Sequence, residues 1–308
     1  MADLEDLLLR TSRTFALSIP RLPEPTRSEV RIAYLLFRIA DTFEDAAPWP
    51  RERRLQALED LCRLLEEPDA TDPAAARRSA ESWTAGEPPS AHEGYMDLLA
   101  ATPEVMAAFA ALSSAARRQV AVHTARTARG MEDFVRRHDD RGVLRLGDLE
   151  ELQRYCYVVA GIVGEMLTEL FLLATPALSE AAGALRERAA SFGEALQLVN
   201  ILKDSADDER EGRSYLPTSV ARERIFSLAR RDLEVAGEYV ARLQRGGAPR
   251  GVVAFTALPA ELAWRTLDRV EEDGPGSKLR RVEVGAVVAR VEARVALGRL
   301  PVRLPARS

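Results

Sequence analysis

Apolar residues recur every three to four positions along most of this chain and strict alternation is scarce, which predicts an all-α protein. An opening helix ends in the turn from Ser18 to Arg27, where Pro20, Pro23 and Pro25 break the pattern. The helix that follows is apolar nearly all round, with Ile32, Leu35, Leu36, Phe37 and Ile39, and Pro48 and Pro50 separate it from another over 51–65. From Pro68 to Pro103 the chain mixes Pro, Ala, Ser and Gly and reads as a surface connection with short helical pieces. Helical periodicity resumes over 104–128, and Gly130 reads as a break. Asp148 is the expected cap of a long helix over 149–174, which Pro176 terminates. A further helix is expected over 179–208, up to a glycine-containing turn at 209–213, with two or three more behind it. No linker stands out, so the expectation is a single all-α domain over 1–308.

Two polar stripes cut across this apolar background. Tyr34, Arg38, Asp41 and Asp45 step by four, three and four; Gln197, Asn200, Asp204 and Asp208 step by three, four and four. At about 100° per residue each set falls within roughly 60–80° of a helix face. Aspartates four apart are common on solvated helix faces. These, however, end apolar helices, and a carboxylate brought among apolar residues needs a cation, a metal or a cavity. Two such stripes facing each other across a helical core would suit Mg²⁺ held by hard oxygen ligands together with a diphosphate.

Composition narrows the partners. The 308 residues carry a formal net charge of −5 with a pI near 5.5, which argues against nucleic acid. Two cysteines, Cys62 and Cys156, make no disulfide framework and suggest a reducing, cytoplasmic setting. Met1 to Arg10 lacks a basic leader region, so no signal peptide is expected. The most apolar stretch, Tyr157 to Leu173, contains Glu165 and Glu169 and reads as a core helix rather than a membrane anchor. The basic segment from Arg299 to Ser308 could touch an anionic membrane surface without crossing it.

Other candidates stay open on local grounds. Gly161 and Gly164 each cost about 1 kcal/mol relative to alanine inside a helix. They imply either close helix packing or room for a ligand, with Tyr155 pointing into that space. Arg38 precedes Asp41 by one turn and could grip a diphosphate. Lys278, Arg280 and Arg281 follow the glycine-rich Asp273–Ser277 and are either a phosphate-binding cluster or solvated charges. His92, His123 and His138 share no metal-like spacing.

Taken together, the segments 11–15, 34–45, 130–134, 155–164 and 197–217 resemble the squalene and phytoene synthases, over nearly the whole chain. Asp41–Asp45, Phe255–Pro259 and Lys278–Arg281 lean toward squalene synthases. The resemblance implies a helical bundle around a deep central cavity and head-to-head joining of two farnesyl diphosphates, with Mg²⁺ and NADPH. It implies metal ligation by Asp41, Glu44, Asp45, Asp204 and Asp208. It places Ser12, Arg13, Arg38, Lys203 and Arg213 at polar positions for diphosphate or cofactor phosphates, with Tyr34, Gln197 and Asn200 beside the substrate. Lys278 and Arg280 match an NADPH site, Tyr155 a proton-transferring tyrosine, and Phe255 an aromatic that shields a carbocation. Leu267 stands where several carotenoid-type relatives carry tyrosine, and the membrane anchor of eukaryotic relatives has no counterpart in this sequence.

Overall fold

A computed structural model describes residues 3–12, 14–66, 72–138, 143–210 and 213–304. Among them are fourteen α-helices and no named strand. The chain forms two compact units, one from Met1–Pro20 with Glu24–Gly142, the other from Arg21–Pro23 with Val143–Ser308.

The first unit contains α1 (Leu4–Thr11), α2 (Thr14–Ser18), α3 (Thr26–Glu44), α4 (Arg51–Glu66), α5 (Pro73–Thr84), α6 (Glu93–Ala100), α7 (Thr102–Ala110) and α8 (Ser114–Arg136). Helix α3 is its centre, packed by α4, α8, α6 and α1, and Leu35, Leu36, Ile39, Ala40 and Phe43 have no exposed surface. Its C-terminal carbonyls do not go unmet. Arg54 of α4, itself buried, donates from Nε to Phe43 O at 3.2 Å and from Nη2 to Glu44 O.

The expected break at Gly130 does not occur, because α8 runs unbroken to Arg136. Ala128, Met131, Phe134 and Val135 around the glycine are all buried, and that burial outweighs the local propensity cost.

The second unit contains α9 (Leu149–Cys156), α10 (Ile162–Ala174), α11 (Ala182–Arg210), α12 (Arg222–Arg245), α13 (Arg250–Asp273) and α14 (Arg281–Ala296). Asp148 caps α9 as expected, its Oδ1 accepting from Glu151 N at 2.9 Å. The long helix over 149–174 is interrupted: Tyr157–Gly161 winds as a π-helix, and Ile162 N bonds back to Tyr157 O. This helix is the described segment long and apolar enough to cross a membrane, and 56% of its apolar window is buried.

The glycines here serve packing. A Cβ on Gly164 would lie 2.0 Å from Ala189 O of α11, and one on Gly193 would lie 1.9 Å from Ala160 O. Backbone-to-backbone contact between α11 and the π/α10 segment therefore requires both. Of the two readings left open for the glycines of this helix, the structure assigns Gly164 to helix contact. Helix α13 is buried from Val252 to Trp264, and α14 packs on it through Val287, Val291 and Val295.

Candidate active site

The first acidic pair occupies the last two turns of α3. Arg38 Nη1 lies 3.2 Å from Asp41 Oδ2, and Arg38 Nε donates to Tyr34 Oη at 3.4 Å. Tyr34 in turn donates to Thr11 O of α1 at 2.7 Å. The guanidinium also sits 5.6 Å and 5.3 Å from the ring centres of Tyr34 and Tyr95. The polar stripe of α3 is thus a connected chain of contacts that fixes the cation beside the carboxylate. Burial pushes the Asp41 carboxyl up to about 6, with Arg38 opposing the rise and Asp45 adding to it. Burial works against the Arg38 charge, and Asp41, Tyr34 and Tyr95 more than offset it, so its pKa is raised. Asp45 is exposed at the C-terminus of α3, whereas Glu44 is buried.

The second pair lies near the end of α11. Lys203 Nζ stands 3.1 Å from Asp204 Oδ2 and donates to Asn200 Oδ1 at 3.3 Å. Arg213 Nη2 donates to Asp208 Oδ1 at 3.2 Å, and Arg213 N to Asp208 O at 2.8 Å. Ser214 then pairs with the 144–146 strand-like segment, its N–H donating to Leu144 O at 3.0 Å. That short bridge holds Arg213 over the end of α11. Gln197 is half-buried one turn earlier, and Asn200 is exposed.

Each pair offers hard carboxylate oxygens beside a fixed cation. Among the described residues no three His, Cys, Asp or Glu side chains cluster as a cage for a metal. Two carboxylates per pair fit Mg²⁺, which binds through one or two carboxylates plus substrate phosphate and water. The raised Asp41 carboxyl also fits, since its own arginine leaves the half-buried charge incompletely compensated.

Tyr155 is 4% exposed and stacks on Tyr215, ring centres 4.7 Å apart, at the last turn before the π segment. π-Helical turns inside α-helices recur at functional sites. Phe255 has no exposed surface and meets Phe171 edge-on at 6.0 Å. Ser12 Oγ accepts from Phe15 N at 3.0 Å at the start of α2. Arg13 lies outside the described residues.

Lys278 and Arg280 are exposed. Arg280 is the N-cap of α14, with its Nε 3.1 Å from Glu283 Oε2. The loop before them turns at Gly274 and Gly276, with φ of 88° and 83°, and Gly276 N donates to Lys203 O at 2.7 Å. This bond ties the basic loop to the turn of α11 that carries Asp204. Lys278 follows two residues after Gly276 as an exposed cation, a donor type that suits a phosphate.

Sequence reasoning missed Tyr95 and Tyr215, the aromatic partners of Arg38 and Tyr155. It also missed a buried acidic group in the second unit. Burial, then Asp232 and Glu165, push the Glu194 carboxyl up to about 7, and burial lifts Asp232 to about 6 against the pull of Arg231. Glu194 does carry a signal, since it lies three residues before Gln197 and extends the α11 stripe by one turn.

The family model for squalene/phytoene synthase matches residues 8–287. The squalene synthase of Schizosaccharomyces pombe is 30% identical over 217 residues, covering 70% of this chain and 43% of that protein. The squalene synthase of Homo sapiens is 30% identical over 213 residues, 69% of this chain and 45% of that one. The chain thus spans less than half the length of these relatives. Among solved structures, the complex of TcSQS with E5700 matches with a TM-score of 0.77 at 24% identity, over 93% of this chain and 84% of that one. A dehydrosqualene synthase complex matches with a TM-score of 0.55 at 18% identity, over 96% and 95%. Both share the all-α fold.

Proposed function

This chain belongs to the squalene/phytoene synthase family, and on that premise we propose that it is a transferase acting as a squalene synthase. Two farnesyl diphosphates would join head to head to give presqualene diphosphate, which is then reduced with NADPH to squalene. The observation that carries this reading is the placing of a cation 3.1–3.2 Å from an aspartate of each acidic pair. Relatives at about 30% identity that carry the name squalene synthase support the choice of product.

Mg²⁺, when bound, neutralises the departing diphosphate. Asp41 with Asp45, and Asp204 with Asp208, would each hold Mg²⁺, with Glu44 the remaining acid of the first motif. Arg38, Lys203 and Arg213 would donate charge-assisted hydrogen bonds to phosphate oxygens, with Ser12, Tyr34, Gln197 and Asn200 as polar contacts. When the first diphosphate leaves, the double bond of the second chain attacks the allylic carbon, and loss of one proton closes a cyclopropane. Tyr155 would accept or relay that proton. Loss of the second diphosphate leaves a cation that must be kept from water, and Val158, Ile162 and Phe255 supply buried apolar surface. Lys278 would bind a phosphate of NADPH, whose hydride ends the sequence.

A second reading, a synthase that releases its product before reduction, such as presqualene diphosphate, dehydrosqualene, hydroxysqualene or phytoene, is favoured by one observation. The Arg280 guanidinium is already engaged by Glu283. Purified protein incubated with farnesyl or geranylgeranyl diphosphate and Mg²⁺, with and without NADPH, separates the two. Squalene formed only with NADPH supports the first reading. The same product with and without NADPH supports the second.

A further inference from the structure

Helix α14 has an apolar side that no described residue of its own unit covers. Its valines at 287, 291 and 295 face the core, where each is buried. On the opposite side lie Val282, Ala286, Ala289, Ala293, Ala296 and Leu297, all exposed. At about 100° per residue they fill an arc of roughly 120° that contains no polar side chain. Val282 and Leu297, at its two ends, are 71% and 68% exposed, the two most exposed large hydrophobic residues described. Gly285 lies at the edge of the arc, and a Cβ there would meet nothing within 4 Å, so packing inside the unit does not explain the small residue.

Charge borders this arc on both sides. Arg281 lies along one edge and Arg299 follows just past the helix end, and neither guanidinium has a hydrogen-bond or ion-pair partner among the described residues. Arg290, paired with Glu261, and Arg294, whose Nε donates to Leu300 O, lie along the other. Gln244 Nε2 donates to Gly298 O at 3.0 Å, which brings the end of α12, with its exposed Arg242 and Arg245, beside the end of α14. The acids near the arc are already bound: Glu292 by Arg21, and Glu283 by Arg269 and Arg280.

We propose that this side of α14 seats the protein on the anionic surface of a lipid bilayer. An apolar helix face rimmed by arginines is the pattern that lies in the headgroup boundary, with apolar side chains inserted and cations among the lipid phosphates. A second copy of the same face fits worse. Antiparallel pairing about a two-fold would bring the two ends of the helix together, Arg281 at one and Arg299 just past the other, and so would oppose like charges. The inference is separable from the catalytic reading, because its readout is vesicle binding and, of the basic cluster at 278–281, it uses only Arg281.

The test is co-sedimentation of the full chain with vesicles, and it requires no turnover. One set is phosphatidylcholine, and in the other a third of it is replaced by phosphatidylglycerol. Wild type should bind the anionic vesicles at least tenfold more strongly, and added salt should reverse this. The pairs Val282→Asp with Leu297→Asp, and Arg281→Glu with Arg299→Glu, should each lower binding at least tenfold with circular dichroism unchanged. In case the aspartates disturb folding, Ala289→Trp gives an opposite readout. It should strengthen binding, and its fluorescence should shift to the blue on adding anionic vesicles. Failure of wild type to bind, equal binding to both vesicle types, or an Ala289→Trp signal that ignores vesicles would overturn the proposal. A wild-type dimer in light scattering that Leu297→Asp dissociates would also overturn it, assigning the face to a second copy.

Discussion

At the scale of single residues, Arg38 shows how the first acidic motif is built. Its guanidinium touches Asp41, Tyr34 and the Tyr95 ring, and Tyr34 is itself fixed to Thr11 O. The carboxylate therefore stands beside a held cation rather than a mobile one. Asp41→Asn or Asp204→Asn should reduce turnover by more than the roughly 10–100-fold that loss of an outer-shell metal partner costs. Helical circular dichroism should hardly change, since both side chains retain solvent contact. Turnover near wild type in either variant would remove the metal assignment. Tyr155 is argued differently, from its stacking on Tyr215 beside the π segment. If it relays the first proton, Tyr155→Phe slows consumption of farnesyl diphosphate without accumulation of presqualene diphosphate. Accumulation would move the tyrosine to the second half-reaction. The acidic pairs were legible in sequence because their spacing and apolar neighbours are local. Tyr95 and Tyr215 were not, because each meets its partner from a distant part of the chain.

At the scale of elements, the apolar periodicity located most helices, and the misreadings share one cause. Gly130 looks like a helix breaker in isolation, yet the buried neighbours Met131, Phe134 and Val135 carry α8 through it. The π turn at Tyr157–Gly161 is equally invisible locally. Gly164 could be read as ligand room or as packing, and only the carbonyl of Ala189 decides. This yields a prediction with two signs. Gly193→Ala forces a Cβ onto a backbone carbonyl and should cost about 1–3 kcal/mol, the usual range for overpacking. Gly183→Ala, on the same helix with nothing within 4 Å, should instead stabilise by about 0.5–1 kcal/mol. Thermal melts of the two variants check it, and matching shifts would contradict the close contact. The loop joining α13 to α14 carries the cofactor expectation. Lys278→Ala with Arg280→Gln should raise the KM for NADPH about tenfold, the low end for charge-assisted contacts given how exposed both side chains are. Presqualene diphosphate should still form. Equal loss of both half-reactions would count against a cofactor site.

At the scale of the whole molecule, acids whose charge is costly within the second unit should make stability depend on pH. Glu194 on α11 faces Asp232 of α12 and Glu165 of α10, and the latter accepts from Tyr157 Oη at 3.1 Å. Burial raises Glu194 to about 7 and Asp232 to about 6. The unfolded chain releases these protons near pH 4, so between about pH 4 and 7 the folded state binds more protons than the unfolded one. Stability from these groups is therefore intact at the acidic end and falls as pH rises through that window. Asp41, raised to about 6, adds a decline of the same sign from the first unit. Glu24 and Glu283, whose pKa values are lowered, act in the opposite direction by losing stability on acidification. The raw pH profile of wild type mixes these contributions, and a difference between two proteins isolates one of them. Glu194→Gln removes the ionisation of that group while keeping its size and a side chain that can both donate and accept hydrogen bonds, as the protonated acid does. Its Tm should match wild type near about pH 4 and exceed it near about pH 8, with the gap opening between them. A gap of constant size across that range would mean that Glu194 acts through packing alone, and the buried acidic group would have no part in setting stability.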